Sequence, residues 1–341
     1  MFKSVSVKNF GALKEVSWRR LSSINLVLGE NGTGKSFLLK AMYVALRTCE
    51  AYKRGNDKRD FGDILSDKLY WTFQAEKIGD IATKSKDKKD SLNFCAAIDE
   101  STKLSYSFGR DTEKQIKNIS GIPSVNRSAE SIFLPAKEVV SLQKVIIKSR
   151  EQDRLFGFDN TYYDLARALN NPTMRGRSSD RVADARSHLE DMLGGRLEKD
   201  EDTQSWYFKD QNAKKFLIGV VAEGVKKVSI LDILLGNRYL SPESVVFIDE
   251  PESALHPAAI SKFMDIIYEL SLTGMQFIMA THSYFVLKKL YLLATEHQCS
   301  IPVLSLGRER HDTYDLKDSL PDNPIVAESI KLYEQEVDLV L

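Results

Sequence analysis

The 341-residue chain lacks long hydrophobic runs and an excess of charge of one sign. No stretch approaches the roughly 18 consecutive apolar residues that a membrane span needs, which excludes an integral membrane protein. Forty-eight basic residues balance 48 acidic ones, so the whole molecule has no net field that would draw it to nucleic acid or to an anionic membrane. Any contact with DNA would therefore use a local basic patch.

Cysteine is scarce, and Cys49, Cys95 and Cys299 form no CxxC pair. This spacing excludes a disulfide framework and a zinc site of the CxxC type. The N-terminal residues contain no apolar stretch of the kind found in signal peptides. Sustained heptads are missing as well, which excludes a long coiled-coil arm. Together with 43% hydrophobic and 28% charged residues, these absences predict a globular cytoplasmic protein in a reducing compartment.

The strongest positive signal is a glycine-rich loop at Gly29–Ser36, which fits the pattern G-x-x-x-x-G-K-[ST] in full. The apolar run Ile24–Leu28 before it predicts a strand, and Phe37–Arg47 after it is rich in helix formers. Such a loop cradles phosphates because its amides turn inward and the helix N-terminus adds positive charge. The pattern predicts ATP binding, with Lys35 on the β- and γ-phosphates and Ser36 as a Mg²⁺ ligand. The predicted nucleotide-binding residues of the loop are Asn31, Gly32, Thr33, Gly34, Lys35 and Ser36.

A second pattern follows two hundred residues later, where the apolar run Ser244–Ile248 ends in Asp249 and Glu250. An aspartate at the carboxyl end of a strand beside a P-loop can hold Mg²⁺, and the next glutamate can orient and deprotonate a water molecule. Many strands end in acidic residues, so the pattern is weak alone and strong beside a P-loop. We predict Asp249 as a metal ligand and Glu250 as the catalytic base.

A third apolar run, Gln276–Ala280, leads into Thr281-His282-Ser283. The order of P-loop, long insertion, I-D-E-P-E-S-A-L-H-P and A-T-H-S resembles the ABC-type ATPase superfamily, in particular its soluble branch around the RecF, SMC and OLD proteins. The opening Val7–Gly11 resembles the first strand of that branch. The resemblance implies that His282 is the catalytic switch residue that touches the γ-phosphate. It also implies that Ser253–His256 is the D-loop, which lies across a dimer interface.

The resemblance further implies a signature segment that closes on the nucleotide of the opposite protomer. The candidate is Val221–Lys227, in which Gly224 matches the family pattern and is the predicted nucleotide contact. Ala222 stands where the family has a phosphate-binding serine. Lys226 or Lys227 could supply positive charge instead. The alternative interpretation of the segment is an amphipathic core helix with a glycine near its start.

We expect an α/β fold of the P-loop NTPase type, an ABC-type ATPase head with a mainly parallel sheet, a β-rich N-terminal flank and an inserted helical lobe. Residues 1–135 would hold the first part of the head with a charged insertion, 136–195 the lobe, and 196–341 the second part of the head. The basic run Lys84–Lys89 is either a solvated loop or a local DNA-binding patch. Gln143 is a weak candidate for the Q-loop glutamine, and the tail helix from Pro324 to Tyr333 is expected to dock on the head.

Fifty-eight residues follow Ser283, too few for the nuclease domain of OLD-type proteins. The predicted function is therefore a switch that binds and hydrolyses ATP with Mg²⁺. It would form a homodimer or higher homo-oligomer around ATP and control a separately encoded protein effector in bacterial anti-phage defence or a toxin system, without membrane contact. Two alternatives stay open: a RecF-like repair ATPase that binds DNA, and a nucleotide-locked scaffold with little hydrolysis.

Overall fold

The computed structural model describes residues 1–84, 91–99, 102–174, 179–200, 202–308 and 310–340. Apart from Lys84, the basic run at 84–89 lies outside the described residues. Within the described ranges, no helix is both long and apolar enough to cross a bilayer.

The strands of the described residues form three sheets. In chain order they are β1 (Ser4–Phe10), β2 (Leu13–Arg19), β3 (Ile24–Gly29), β4 (Leu92–Ala97), β5 (Lys103–Phe108), β6 (Asn118–Ser120), β7 (Ile132–Leu134), β8 (Gly195–Lys199), β9 (Trp206–Asp210), β10 (Lys215–Leu217), β11 (Val245–Asp249), β12 (Gln276–Thr281), β13 (Pro302–Leu306) and β14 (His311–Asp315).

The helices of the same ranges cover the sheets. They are α1 (Lys35–Ala51), α2 (Phe61–Phe73), α3 (Gln143–Glu151), α4 (Asn160–Ala168), α5 (Asp180–Leu193), α6 (Glu223–Gly236), α7 (Pro257–Ser271), α8 (Tyr284–Glu296) and α9 (Pro324–Val340), with short 3₁₀ turns at Ile78–Ile81 and Ile218–Val220.

The central sheet has the order β14-β13-β3-β12-β11-β7, and every pair except β13–β14 is parallel. All its strands except β14 are buried on both faces, because their side chains alternate between two hydrophobic cores. In β3, for example, Leu26 and Leu28 face one core and Val27 faces the other. The mainly parallel sheet that the sequence predicts is confirmed. Because parallel strands end at one edge, the residues after β3, β7, β11 and β12 share that edge.

A five-stranded antiparallel sheet, in the order β2-β1-β4-β5-β6, packs on one side of the central sheet. Helix α1 contributes to the core that the two sheets share, where the fully buried Trp18, Tyr43 and Phe94 lie. This sheet confirms the β-rich N-terminal flank. Helix α2, which packs on α1, was not predicted.

The opposite core contains residues of α3 to α8. Helices α3, α4 and α5 fall within 136–195, the range expected for the helical lobe, while the division into domains stays a prediction. A small antiparallel sheet, β10-β9-β8, joins this side and was not predicted. It contacts α5 and α6 through β8.

The tail helix α9 touches the head only near its start. Ile325 and Val326 pack against the core, but Ile330 and Tyr333 are 52% and 67% exposed. The helix therefore docks on the head through its first turn, as expected, and several of its later apolar side chains are more than half exposed.

Candidate active site

The glycine-rich loop connects β3 to α1 and is shaped by two residues with positive φ. Gly32 has φ 82° and Gly34 has φ 96°, values that favour glycine because they bring a Cβ into conflict with the backbone. A Cβ on Gly34 would also lie 2.7 Å from a methyl group of Leu13, whereas the space around Gly32 is open. Asn31 is exposed, and Thr33 is buried with its hydroxyl donating to the Glu30 carbonyl at 2.9 Å. The loop thus presents an open concave turn at the helix N-terminus.

Lys35 lies across this loop. Its ammonium group donates to the carbonyl oxygens of Gly29 at 2.7 Å and Glu30 at 3.0 Å, and the residue is only 7% exposed. Burial lowers the pKa of Lys35, against the attraction of Asp249 and the neighbouring carboxylates. The ammonium group therefore lies at the mouth of the loop, where phosphate oxygens would replace these carbonyl oxygens in the predicted role.

The predicted metal ligands meet at the end of β11. The Ser36 hydroxyl donates to Asp249 Oδ1 at 2.9 Å, although 213 residues separate them in the chain. Burial raises the pKa of Asp249, and the Ser36 hydrogen bond opposes that change. A hydroxyl and a carboxylate are the hard oxygen ligands that Mg²⁺ prefers, usually together with phosphate oxygens and water. The loop and this pair therefore fit ATP and Mg²⁺ in chemistry and in position.

Glu250 and His282 face each other across β11 and β12. His282 Nδ1 lies 3.5 Å from Glu250 Oε1, with side chains that are 46% and 35% exposed. Glu252 supports the pair, because its Oε1 accepts from the Thr281 hydroxyl at 2.7 Å and from the His282 amide at 3.3 Å. The structure thus brings the predicted base and switch residue together beside the predicted metal ligands.

The family model described as "AAA domain, putative AbiEii toxin, Type IV TA system" matches residues 24–288 of the chain. The chain belongs to this family. The matched range runs from β3 to the start of α8, so it contains the glycine-rich loop, Asp249, Glu250 and His282. No curated protein matches the sequence.

Solved structures show the same fold at low sequence identity. One is an SMC head bound to the C-terminal winged-helix domain of ScpA, with 14% identity, a TM-score of 0.57, and coverage of 92% of this chain and 97% of that one. Another is an SMC head with an extended coiled coil, bound to the C-terminal domain of ScpA from Pyrococcus furiosus, with 13% identity, a TM-score of 0.53 and 98% coverage of both chains. This AAA family member therefore has the ABC-type, SMC-like P-loop ATPase fold expected from its motifs.

The signature candidate of this AAA protein begins helix α6. Gly224 is buried, and a Cβ there would lie 2.3 Å from the Ala254 carbonyl oxygen of the D-loop. Lys226 bonds Glu223 at 2.9 Å, and Lys227 bonds the backbone after β11. Compensation for Ala222 by either ammonium stays a prediction. The role of Gly224 towards a second protomer stays a prediction.

Lys227 and Glu252 are the site residues that the motifs did not reveal. Burial lowers the pKa of Lys227 to about 8, although Glu252, Asp249 and Glu250 attract its charge. A signal was present in the sequence, because a lysine that is buried in a helix rich in apolar residues must find a partner. Glu252 carried no such signal, since an exposed acidic turn has the same composition.

The Q-loop candidate Gln143 takes another role. Its amide donates to the Ala166 carbonyl at 2.7 Å, and its oxygen accepts from Trp206 Nε1 at 2.7 Å. Gln143 thus joins the helical lobe to the small sheet. The end of β7 meets the D-loop instead, where the Ser253 hydroxyl donates to the Ala136 carbonyl at 2.9 Å.

Proposed function

We propose that this protein is an ATP-dependent switch that dimerises around ATP, hydrolyses it slowly, and controls a separately encoded effector. The observation that carries the proposal is the 2.9 Å hydrogen bond between Ser36 and Asp249, with Glu250 next in the chain and 3.5 Å from His282. Separate chain segments bring the glycine-rich loop, Asp249 and Glu250 to one edge of the sheet, and this arrangement supports the proposal.

Each residue has a defined task in the proposed reaction. The loop amides and Lys35 would hold the phosphates, and Ser36 and Asp249 would hold Mg²⁺, which neutralises charge on the phosphate oxygens when it is bound. Glu250 would take the proton of the attacking water, because it is partly exposed and not part of the Ser36–Asp249 pair. His282 would hold Glu250 in place and reach the terminal phosphate.

The family description supports a place in a toxin–antitoxin or defence system, because it names a type IV toxin system. The SMC heads with this fold were solved with the partner protein ScpA, which supports a protein partner for the switch. We place the chain in the cytoplasm, where its three free cysteines suit the reducing conditions.

A nucleotide-locked scaffold is the second candidate, and the start of α6 favours it. Ala222 occupies the N-cap of this helix without a side-chain hydrogen bond to the helix amides. A serine there would offer a hydroxyl to the helix or to a phosphate. Weak closure on the partner's nucleotide would slow hydrolysis and prolong the ATP-bound state.

The variant Glu250→Gln tests the proposal. It should keep its affinity for ATP and lose turnover by roughly 100- to 10,000-fold, because a general base contributes about that much. With hydrolysis stopped, the variant should accumulate as an ATP-bound dimer. Phosphate release, fluorescent-nucleotide titration and size exclusion with light scattering measure the three properties.

Glu243→Gln is the matched control, since Glu243 is an exposed glutamate before the same strand. Wild-type turnover in Glu250→Gln would remove the catalytic assignment. If Glu250→Gln loses turnover but its mass does not increase when ATP is added, the assignment of Glu250 as the base stands and the proposed closure into a dimer is refuted. Duplex DNA added to the wild-type assay tests the RecF-like alternative, which requires faster turnover with DNA.

A further inference from the structure

Lys227 connects the signature candidate at the start of α6 to the turn after β11, which contains Glu250, in the same protomer. It lies in the second turn of α6 and is 5% exposed. Its ammonium group lies 3.3 Å from the Asp249 carbonyl oxygen and also donates to the Glu250 carbonyl oxygen. The ammonium thus contacts the backbone of the turn that carries the proposed base, and none of its hydrogen bonds goes to a carboxylate.

Glu250 needs such contacts because its backbone is in the left-handed region, with φ 49°. This conformation costs a non-glycine residue about 1 kcal/mol or more and persists only where the surroundings determine it. The Glu250 amide donates to the Ala280 carbonyl at 2.8 Å, and its own carbonyl accepts from the Ser253 amide at 2.9 Å. Lys227 provides a further hydrogen bond to that carbonyl, and its donor is charged.

The backbone conformation of Glu250 decides where its carboxylate lies. A residue that moves from the left-handed region to an extended conformation rotates its Cα–Cβ bond relative to the neighbouring residues. Loss of the Lys227 hydrogen bonds would therefore move the carboxylate away from His282. General-base catalysis is sensitive to such a change, because a displacement of about 1 Å can lower the rate about 100-fold.

We infer that Lys227 is a positioning residue, which holds the Glu250 backbone in the left-handed conformation and so aims the base at its water. The inference rests on the proposed function of Glu250. By this inference the start of α6 also supports the active site of its own protomer, where Gly224 packs directly on the D-loop residue Ala254.

Lys227→Met, which keeps length and removes the charge, tests the inference beside Lys227→Arg. Lys144→Met is the matched control, because Lys144 also donates to a backbone carbonyl oxygen, that of Thr203 at 3.1 Å, but lies on α3 outside the candidate site. We expect kcat to fall roughly 10- to 100-fold in Lys227→Met, with ATP affinity within about two-fold of wild type. Lys227→Arg should recover part of kcat, and Lys144→Met should resemble the wild type.

A spectroscopic measurement separates this inference from the proposed hydrolysis. The carbon–hydrogen NMR signal of the His282 ring, assigned with His282→Gln, should shift in Lys227→Met and stay in place in Lys144→Met. An unchanged ring signal overturns the positioning role even if the wild type does not hydrolyse ATP. Equal losses of kcat in the two methionine variants also overturn it. Lys227→Gln, which retains a donor, replaces Lys227→Met if that variant does not fold.

Discussion

Ser36 is the residue at which the nucleotide loop and the metal site meet. Its hydroxyl donates to Asp249 Oδ1 at 2.9 Å, and burial of the Asp249 carboxylate raises the pKa of that group. A buried carboxylate gains from a nearby cation, because opposite charge stabilises its ionised form. Mg²⁺ bound here would therefore be stabilised by the same residue that Ser36 already orients.

We predict that Ser36→Ala weakens ATP binding mainly when Mg²⁺ is present. The hydroxyl is a proposed ligand of the metal, whereas the loop amides and Lys35 contact phosphates without it. The loss with Mg²⁺ should be roughly 10-fold or more, the scale of one hydrogen bond to a charged group. Titration of a fluorescent ATP analogue with Mg²⁺ and with EDTA measures the difference. Ser36→Thr keeps the hydroxyl and is the control, and equal losses in both conditions would contradict the ligand role.

Some site residues could be predicted because their chemical roles require a particular local sequence around them. Asp249 and Glu250 had to follow an apolar strand, and Lys35 and Ser36 had to end a glycine loop. Lys227 could not be assigned to the Glu250 backbone from sequence, because its partners are carbonyl oxygens, which every residue carries. Glu252 was missed for a related reason, since its partners Thr281 and His282 come from another strand.

Among the elements, helix α1 contacts two neighbouring parts of the molecule, which are the core between the two large sheets and the helical lobe. Its apolar residues enter the core shared by the two large sheets, while a stripe at helical spacing faces the lobe. Lys40 pairs with Asp159 at 2.6 Å, and the Tyr43 hydroxyl donates to Asp164 at 2.7 Å. Arg47 also reaches α4, with its Nε 3.5 Å from Asp164 Oδ2. The helix that starts at the phosphate loop is thereby bonded to α4 of the inserted lobe.

Strong local signals made some elements predictable, and tertiary contacts decided the rest. The strands β3, β11 and β12 are continuous apolar runs bounded by polar turns, which predict buried parallel strands. Helix α2 was missed within a charged region, although Asp60 caps it by accepting from the Asp63 amide at 2.7 Å. The strands β8 to β10 are short and partly exposed, so their pattern favours no structure strongly.

The exposed tail helix leads to a prediction about stability. Removal of residues 329–341 should change the free energy of unfolding by less than about 1 kcal/mol, because exposed side chains contribute little. Leu290→Ala is the control, since Leu290 is fully buried in α8 and its truncation should cost roughly 2 to 5 kcal/mol. Urea unfolding followed by circular dichroism measures both. A loss from the truncation as large as that from Leu290→Ala would show that the tail covers a surface of the head.

At the scale of the whole molecule, the proposed dimer requires a face that includes the start of α6. The residues just before it are apolar and exposed, with Leu217 at 78% and Val220 at 75%. They belong to β10 and the 3₁₀ turn that leads into Ala222. Exposed apolar side chains beside a proposed partner-facing segment are typical of an interaction surface. Closure of two protomers around ATP would bury these side chains. Binding of ATP to the nucleotide loop of a single protomer would not depend on them.

We therefore predict that Leu217→Glu blocks association without weakening ATP binding. In the Glu250→Gln background, which should trap the dimer, the added charge would have to be buried at the interface, and burial of an unpaired carboxylate is strongly unfavourable. Light scattering with ATP and Mg²⁺ should then report a monomer, with nucleotide affinity within about two-fold of the parent variant because the residue lies outside the phosphate loop. Val125→Glu is the matched control, since Val125 is 71% exposed in a loop away from α6. If Leu217→Glu still dimerises with ATP, the dimer uses another face, and the signature assignment at Ala222 to Gly224 is wrong with it.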